Sequence, residues 1–358
     1  MPKVTLSTSA SSTTTPYDDY IKHYRIKKHE NGSLYISKHL MFPSLIELID
    51  YYKSNQGGLV CPLRSACPRE LLNVPLKDLE VQQDQIQLID HLGSGQFGDV
   101  YRALINGKQE VAVKTLKTES TMEVGKFRKE AEIMHNLRHP RLVGLLLGIC
   151  MQSRPLFIIT EFMCGGSLTS YLQDNRTTLN FNNLVDIAAQ VADGMSYLES
   201  QNPPYIHRDL RAANVLVAGN NVVKVADFGL AKQVEEGVYE GSEVSRFPVK
   251  WTAPEGLRFM LFTVKSDVWS YGVLLYEIFT LGKVPYSGWS NFEVKTQVLQ
   301  GYRLPQPSTG HGALDEQVYD VMVKCWNEVD VERPSFAQLL IFFDEIILES
   351  NYFVSDLD

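Results

Sequence analysis

Three residues in one short loop carry the side chains that moving a phosphoryl group demands: Asp209, Arg211 and Asn214, within IHRDLRAAN (206–214). A carboxylate must orient an attacking hydroxyl and accept its proton, a cation must tolerate developing charge, and an amide oxygen must hold a metal ion. On its own, such a loop is as readily a set of polar side chains that pair with one another. It does not stand on its own. A glycine-rich stretch, LGSGQFGDV (92–100), and a lysine inside an apolar segment, VAVK (111–114), precede it. ADFG (226–229), with Asp227, follows it.

Each of these has a physical reading. Gly93, Gly95 and Gly98 remove side chains, so backbone N–H groups can approach phosphates. A plain hairpin turn is the competing account, and the order strand, glycines, strand, then VAVK argues against it. The Lys114 stem can bury while its ammonium reaches the α- and β-phosphates. Asp227 would repel those phosphates without a metal between them, so a nucleotide must arrive with its ion.

The elements that must position these groups follow from periodicity. VGKFRKEAEIMHNLRHP spaces Phe127, Ala131, Met134 and Leu137 as the buried stripe of a helix, with Glu130 among them. In the protein kinases, which these motifs resemble, a helix glutamate pairs with the strand lysine; the EAEIM order matches it to Glu130, with Glu132 as the competing candidate. FIITEFMCGG reads as a strand running into a hinge. NLVDIAAQVADGMSYLES repeats Leu184, Ile187, Val191, Met195 and Leu198 every three or four residues, which gives a helix with one buried face.

Bulk properties bound the rest. The 358 residues are 44% hydrophobic and 21% charged, enough to build a sizeable core. A net charge of -8 argues against a nucleic-acid or anionic-membrane partner, since both want a basic face. Cys61, Cys67, Cys150, Cys164 and Cys325 form no C-x-x-C pair and read as thiols of a reducing compartment. No apolar run is long enough to span a bilayer, and position 2 lacks the glycine that myristoylation requires, so no membrane anchor is expected. The expected location is cytoplasmic, with any membrane association made through partners.

The whole pattern resembles the protein kinases, over about Gln87 to Phe343. The resemblance implies an α+β, two-lobed kinase fold with a small β-rich N-lobe and a larger helical C-lobe. It makes Asp209 the acceptor and orienter of a substrate hydroxyl, with Arg211, Lys114 and Glu130 beside it in catalysis. Asn214 and Asp227 become the ligands of Mg²⁺, with Mn²⁺ as an alternative ion. ATP would lie among Leu92, Gly93, Ser94, Gly95, Gln96, Phe97, Gly98, Val100, Ala112, Lys114, Thr160, Glu161, Met163 and Leu216, with backbone groups of Glu161 to Met163 offered to adenine.

Leu-Arg-Ala-Ala-Asn is the order found in Src-family tyrosine kinases, and FPVKWTAPE (247–255) is a second tyrosine-specific marker. Pro248 would floor the site for a phenol ring. Substrates would be proteins with accessible tyrosines. Glu255 and Arg333 match a structural ion pair of the family, and Asp267 a residue that steadies the catalytic loop. Tyr239, in VEEGVYEGSEVSR, is the expected autophosphorylation site, with Arg208 and Arg246 as partners for its phosphate. A pseudokinase scaffold, acting by binding alone, is the alternative reading.

Upstream, HYRIKK, GSLYIS, SLIELIDYY and GGLVCPL resemble the C-terminal half of an SH2 (Src-homology 2) domain. The hydrophobic pattern predicts strands at HYRI and SLYIS joined by a tight Asn31-Gly32 turn, then a helix carrying Leu45, Leu48, Ile49 and Tyr52. His23 and Tyr24 match positions that line a phosphopeptide pocket. The segment that bears the phosphate-binding arginine has no counterpart, so phosphotyrosine binding is not expected. The expected organisation is a disordered tail (1–16), a partial SH2 module (17–68), a linker (69–85), the kinase domain (86–346) and a C-terminal tail (347–358). In the linker Leu79 stands where relatives carry a tryptophan. Tyr352 stands where they place an inhibitory tyrosine.

Overall fold

The computed structural model describes residues 24–29, 32–37, 39–55, 57–59, 63, 75–94, 98–116, 120–143, 146–219, 221–234, 238–240 and 247–355, the side chains of 240 and 348–355 excepted. They fall into two compact units, Met1–Val74 and Pro75–Asp358.

In the first unit β1 (Lys27–Lys28), β2 (Leu34–Tyr35) and β3 (Met41–Phe42) form an antiparallel sheet in that order. Among the described residues the pairing begins after HYRI, at Lys27. The turn is closed by the His29 N–H donating to the Ser33 carbonyl at 2.8 Å, so Lys27 and Lys28 are the residues next to it. Gly32 sits in that turn at φ +88°, a conformation glycine adopts without strain. Tyr24 and Ile26 use their alternation for packing instead, against the buried Leu48, Tyr52 and Leu59.

Leu48 and Tyr52 come from α1 (Leu45–Ser54), the helix that the spacing of Leu45, Leu48, Ile49 and Tyr52 predicts. Ser44 caps it: its Oγ accepts the Glu47 N–H at 3.3 Å and donates to Glu47 Oε1 at 3.0 Å. The expected tail 1–16, His23, Asn31 and most of the closing segment after Leu59 lie outside the described residues.

The small lobe of the second unit is a five-stranded antiparallel sheet. Its strands are β4 (Ile86–Ser94), β5 (Asp99–Ile105), β6 (Gln109–Leu116), β7 (Leu146–Cys150) and β8 (Leu156–Glu161), in the order β4-β5-β6-β8-β7. Between β6 and β7 runs α2 (Thr121–Asn136). It buries Phe127, Ala131, Ile133 and Met134, with Glu130 on the same face.

The residues expected to form the end of a linker are part of this lobe. Glu80 bridges Ile149 in parallel, and the Val81 N–H donates to the Ile149 carbonyl at 2.8 Å. The Glu80 carboxylate accepts the Met151 and Gln152 N–H groups at 2.9 and 3.1 Å. Gly148 makes the approach possible, because a Cβ there would come 2.5 Å from Val81 Cγ2. Leu76 and Leu79 pack half-buried against the main core.

The large lobe opens with β9 (Gly166–Ser167), α3 (Leu168–Asp174), α4 (Phe181–Glu199) and β10 (Tyr205–Ile206). Next come β11 (Val215–Val217), β12 (Val223–Val225), β13 (Lys232–Gln233) and β14 (Tyr239–Glu240). Then follow α5 (Pro254–Phe259), β15 (Leu261–Phe262), α6 (Val264–Phe279), α7 (Asn291–Leu299), α8 (Ala313–Cys325) and α9 (Phe336–Ser355).

Asn180 and Asn183 cap α4 reciprocally, and its expected face, from Leu184 to Leu198, is buried. α6 is buried almost all round, which makes it the axle of the lobe. Arg333, fully buried, grips Glu255 with two nitrogens at 2.7 and 2.9 Å. Breaking such a pair by removing one partner costs about 3–5 kcal/mol, because a charge is left uncompensated. α9 continues to Ser355, past the expected boundary at 346. The Tyr352 side chain lies outside the described part. Among the described residues no helix is long and apolar enough to cross a membrane.

Candidate active site

Strand β6 carries Lys114 with its neighbours Val113 and Thr115 buried on the opposite face. Its Nζ lies 2.6 Å from Glu130 Oε1 and 3.4 Å from Asp227 Oδ1. Glu130 is buried and Glu132 exposed, so the helix register selects the former. Burial works against the Lys114 charge, but the two carboxylates outweigh it and hold its pKa above the ordinary value. Burial pushes the Asp227 carboxyl up, and Lys114, the Gly229 N–H and His207 together more than reverse this, leaving it below the usual carboxylate range.

The glycine-rich hairpin joins β4 and β5, with Gly93 opposite Val100 and Ser94 opposite Asp99. A Cβ on Gly98 would sit 1.5 Å from the Thr115 carbonyl oxygen, so that glycine is required by packing. A Cβ on Gly93 would meet nothing within 4 Å. Gly95, Gln96 and Phe97 lie outside the described residues.

Other expected pocket residues come from both lobes. Val100 faces Lys114 and Ala112 faces Thr160 across the sheet. Met163 is buried with Val143 and Ala226, and Leu216 packs against them. Leu92 is 48% exposed at the mouth. Glu161 ends β8 opposite Val111, and its side chain pairs with Lys224 Nζ at 2.5 Å.

The catalytic loop is held from below. Asp267 accepts the N–H groups of His207 and Arg208 at 2.6 and 2.9 Å. His207, fully buried, lies 3.1 Å from the Ala226 carbonyl through Nε2, and burial lowers its pKa to about 4, so the ring is neutral. The Asp209 N–H donates to His207 Nδ1 at 3.3 Å. Arg211 Nε donates to Asp209 Oδ1 at 2.9 Å, and Asn214 Nδ2 donates to the Asp209 carbonyl at 2.9 Å. Burial raises the Asp209 carboxyl to about 6, with Arg211 pulling the other way. A carboxylate at that value is poised to take up a proton near neutrality.

Asn214 and Asp227 arrive at one place because β11 and β12 pair, Val215 opposite Val225. The Ala226 N–H closes the ribbon on the Asn214 carbonyl at 2.8 Å. Asp227 takes φ +61°, and its side chain accepts the Gly229 N–H at 3.3 Å. Amide and carboxylate oxygens are the donors a hard divalent cation prefers, and two protein ligands leave room for phosphate and water.

Beyond this centre, Tyr239 pairs with Phe262 across β14 and β15. Pro248 begins the turn ending in Trp251, whose N–H donates to the Pro248 carbonyl at 2.9 Å. Arg246 lies outside the described residues.

Two participants escaped the sequence reading. Glu277 accepts N–H groups from Ala212 and Trp251, and Lys224 braces the hinge through Glu161. A lone charge inside an apolar stretch, as in GVLLYEIF or VVKVA, was the available signal.

A strand lysine locked to a helix carboxylate, beside a loop that carries an acid, an arginine and an amide, is the arrangement of a protein kinase. Residues 86–343 match the family model for protein tyrosine and serine/threonine kinases. An SH2 domain model matches residues 3–52, starting earlier and stopping sooner than the 17–68 expected from the sequence. The tyrosine-protein kinase SRK2 of Spongilla lacustris is 46% identical over 327 residues, which span 90% of this chain and 88% of that protein. The human tyrosine-protein kinase FRK is also 46% identical, over 89% of this chain and 64% of its own length. The chain therefore belongs to the protein kinases and, within them, to the Src-like non-receptor protein-tyrosine kinases. A kinase domain of this kind uses ATP and a divalent metal ion.

Proposed function

We propose that the chain phosphorylates proteins with accessible tyrosines in the cytoplasm, using Mg²⁺ with ATP, and that phosphorylation of its own Tyr239 activates it. Asp209 orients the phenol and takes its proton. Arg211 holds that carboxylate and tolerates the charge that develops beside it. Lys114, kept in place by Glu130, holds the α- and β-phosphates. Asn214 and Asp227 hold the Mg²⁺, which neutralises phosphate charge when bound. Leu92, Val100, Ala112, Thr160, Met163 and Leu216 enclose the base. The SH2-like segment contributes no phosphotyrosine site in this reading. The free thiols of Cys150, Cys164 and Cys325 are in keeping with a reducing compartment.

The observation that carries this reading is the Arg211–Asp209 contact at 2.9 Å, on a loop whose other end, Asn214, is tied to the strand leading into Asp227. The test is Asp209→Asn, with turnover and nucleotide affinity measured separately. Turnover on a tyrosine peptide should fall by about 100-fold or more, the usual scale of a lost general base. ATP affinity should stay within about twofold, because the acid acts on the hydroxyl alone. Parallel loss of both would overturn the assignment.

A further inference from the structure

Helix α6 sends two buried carboxylates to the catalytic loop, from opposite ends. Asp267, near its start, takes the first residues of the loop. Glu277, near its end and 5% exposed, takes the Ala212 N–H on Oε2 at 2.9 Å. The same Oε2 accepts the indole N–H of Trp251, also at 2.9 Å.

These two partners belong to different parts of the site. Ala212 follows Arg211, whose Nε holds Asp209. Trp251 closes the turn that begins at Pro248. Ser270, on the same helix, donates to the Trp251 carbonyl at 2.8 Å, so α6 grips the tryptophan at both its backbone and its ring. The Arg211 guanidinium lies 5.7 Å from the centre of that ring, a second contact between the same two segments.

We propose that Glu277 is a positioning residue: by gathering Ala212 and Trp251 on one carboxylate oxygen, it sets the gap between Asp209 and the Pro248 shelf on which the acceptor ring lies. This rests on the roles given above to Asp209 and Pro248. A tyrosine oxygen has to come within about 3–3.5 Å of the atom it attacks, and small displacements of a positioned group are costly on that scale. Two segments tied to a single buried oxygen cannot drift apart without orphaning a buried N–H. Among the described residues the side-chain hydrogen bonds of Glu277 go to Ala212 and Trp251 and to none of those proposed to line the nucleotide pocket, so its influence should fall on the acceptor side.

The experiment uses the full chain with Glu277→Gln, Trp251→Phe and the two combined, and a tyrosine peptide as substrate. Each single variant should raise the peptide KM or lower kcat/KM for peptide about tenfold. The ATP KM should change less than about twofold. The double variant should be no worse than the worse single one, because both disturb one shared contact. Peptide and ATP constants moving together, additive losses, or unchanged peptide constants would overturn the proposal. If Glu277→Gln fails to fold, Trp251→Phe decides alone, since it removes only the N–H side of the contact. Asp209→Asn run in parallel separates the two readings. An active Asp209→Asn sinks the catalytic assignment, whereas an inactive one beside a normal Glu277→Gln sinks this inference only.

Discussion

The guanidinium of Arg208 lies over the ring of Tyr239, 4.2 Å from its centre. Arg208 Nε meanwhile donates to the Leu230 carbonyl at 2.7 Å, and Lys232 Nζ stands 6.0 Å from the same ring. The tyrosine of the activation segment is thus parked on the arginine that directly precedes Asp209.

A phosphate on Tyr239 would exchange this stacking for charge-assisted bonds to the same cation. Wild-type enzyme pre-incubated with Mg-ATP should therefore gain activity by about fivefold or more, the low end of typical coupling between sites. Tyr239→Phe keeps the ring but not the hydroxyl, so it should stay slow after the same treatment. A Tyr239→Phe variant that accelerates in step with wild type would remove Tyr239 from the activation step.

The two glycines at the base of the nucleotide hairpin should separate stability from binding. Gly98→Ala drives a Cβ into the Thr115 carbonyl and must distort β5 and β6. Its thermal midpoint should drop by several degrees, on the scale of about 2–4 °C per kcal/mol for a domain of this size. Gly93→Ala meets no protein atom. Its stability should stay within about 0.5 kcal/mol of wild type, while the ATP KM rises because the new methyl occupies space left for phosphate. Thermal scans and nucleotide titration together decide the matter. Equal destabilisation of both variants would contradict the geometry.

Much of the centre was readable from residue order, because the loop, the DFG turn and VAVK are local strings whose roles depend on near neighbours. Glu130 was distinguishable from Glu132 because the EAEIM order matches the kinase pattern, and the structure buries it with Phe127 and Met134. What escaped depends on contacts far apart in the chain. Glu277 meets partners 65 and 26 residues away, and Lys224 meets Glu161 across 63. No periodicity encodes such pairings. The strand shift from HYRI to Lys27–Lys28 has another cause: β-propensity marks residues that suit a sheet, and the closing bond of the turn decides which of them pair.

The carboxyl of Asp267 is pushed up to about 7 by complete burial, against the pull of the two backbone N–H groups and the Arg208 charge. The native chain therefore holds a proton on Asp267 between about pH 4 and pH 7 that the unfolded chain releases. The stability this group contributes is fully present below the ordinary carboxylate value and is lost as pH rises toward 7. Glu277, also raised to about 7 by burial, acts in the same window and with the same sign. Asp209, raised to about 6, adds to the same trend. Asp267→Asn removes one of these titrations, so its thermal midpoint should be lower overall but decline less between pH 5 and pH 8, by about 2 °C or more. A slope identical to wild type across that range would refute the assignment.

The docking of Glu80 and Val81 on β7 also fixes where mechanical load enters the enzyme. Tension applied to the chain upstream of Pro75 is borne first by the packing of Leu76 and Leu79, then by the Glu80 cap on Met151 and Gln152 and the Val81 bond to Ile149. It reaches the sheet at its β7 edge, the margin opposite the glycine hairpin in the order β4-β5-β6-β8-β7. The nucleotide-binding strands are thus insulated from a pull on the preceding segment until that short strap has peeled away.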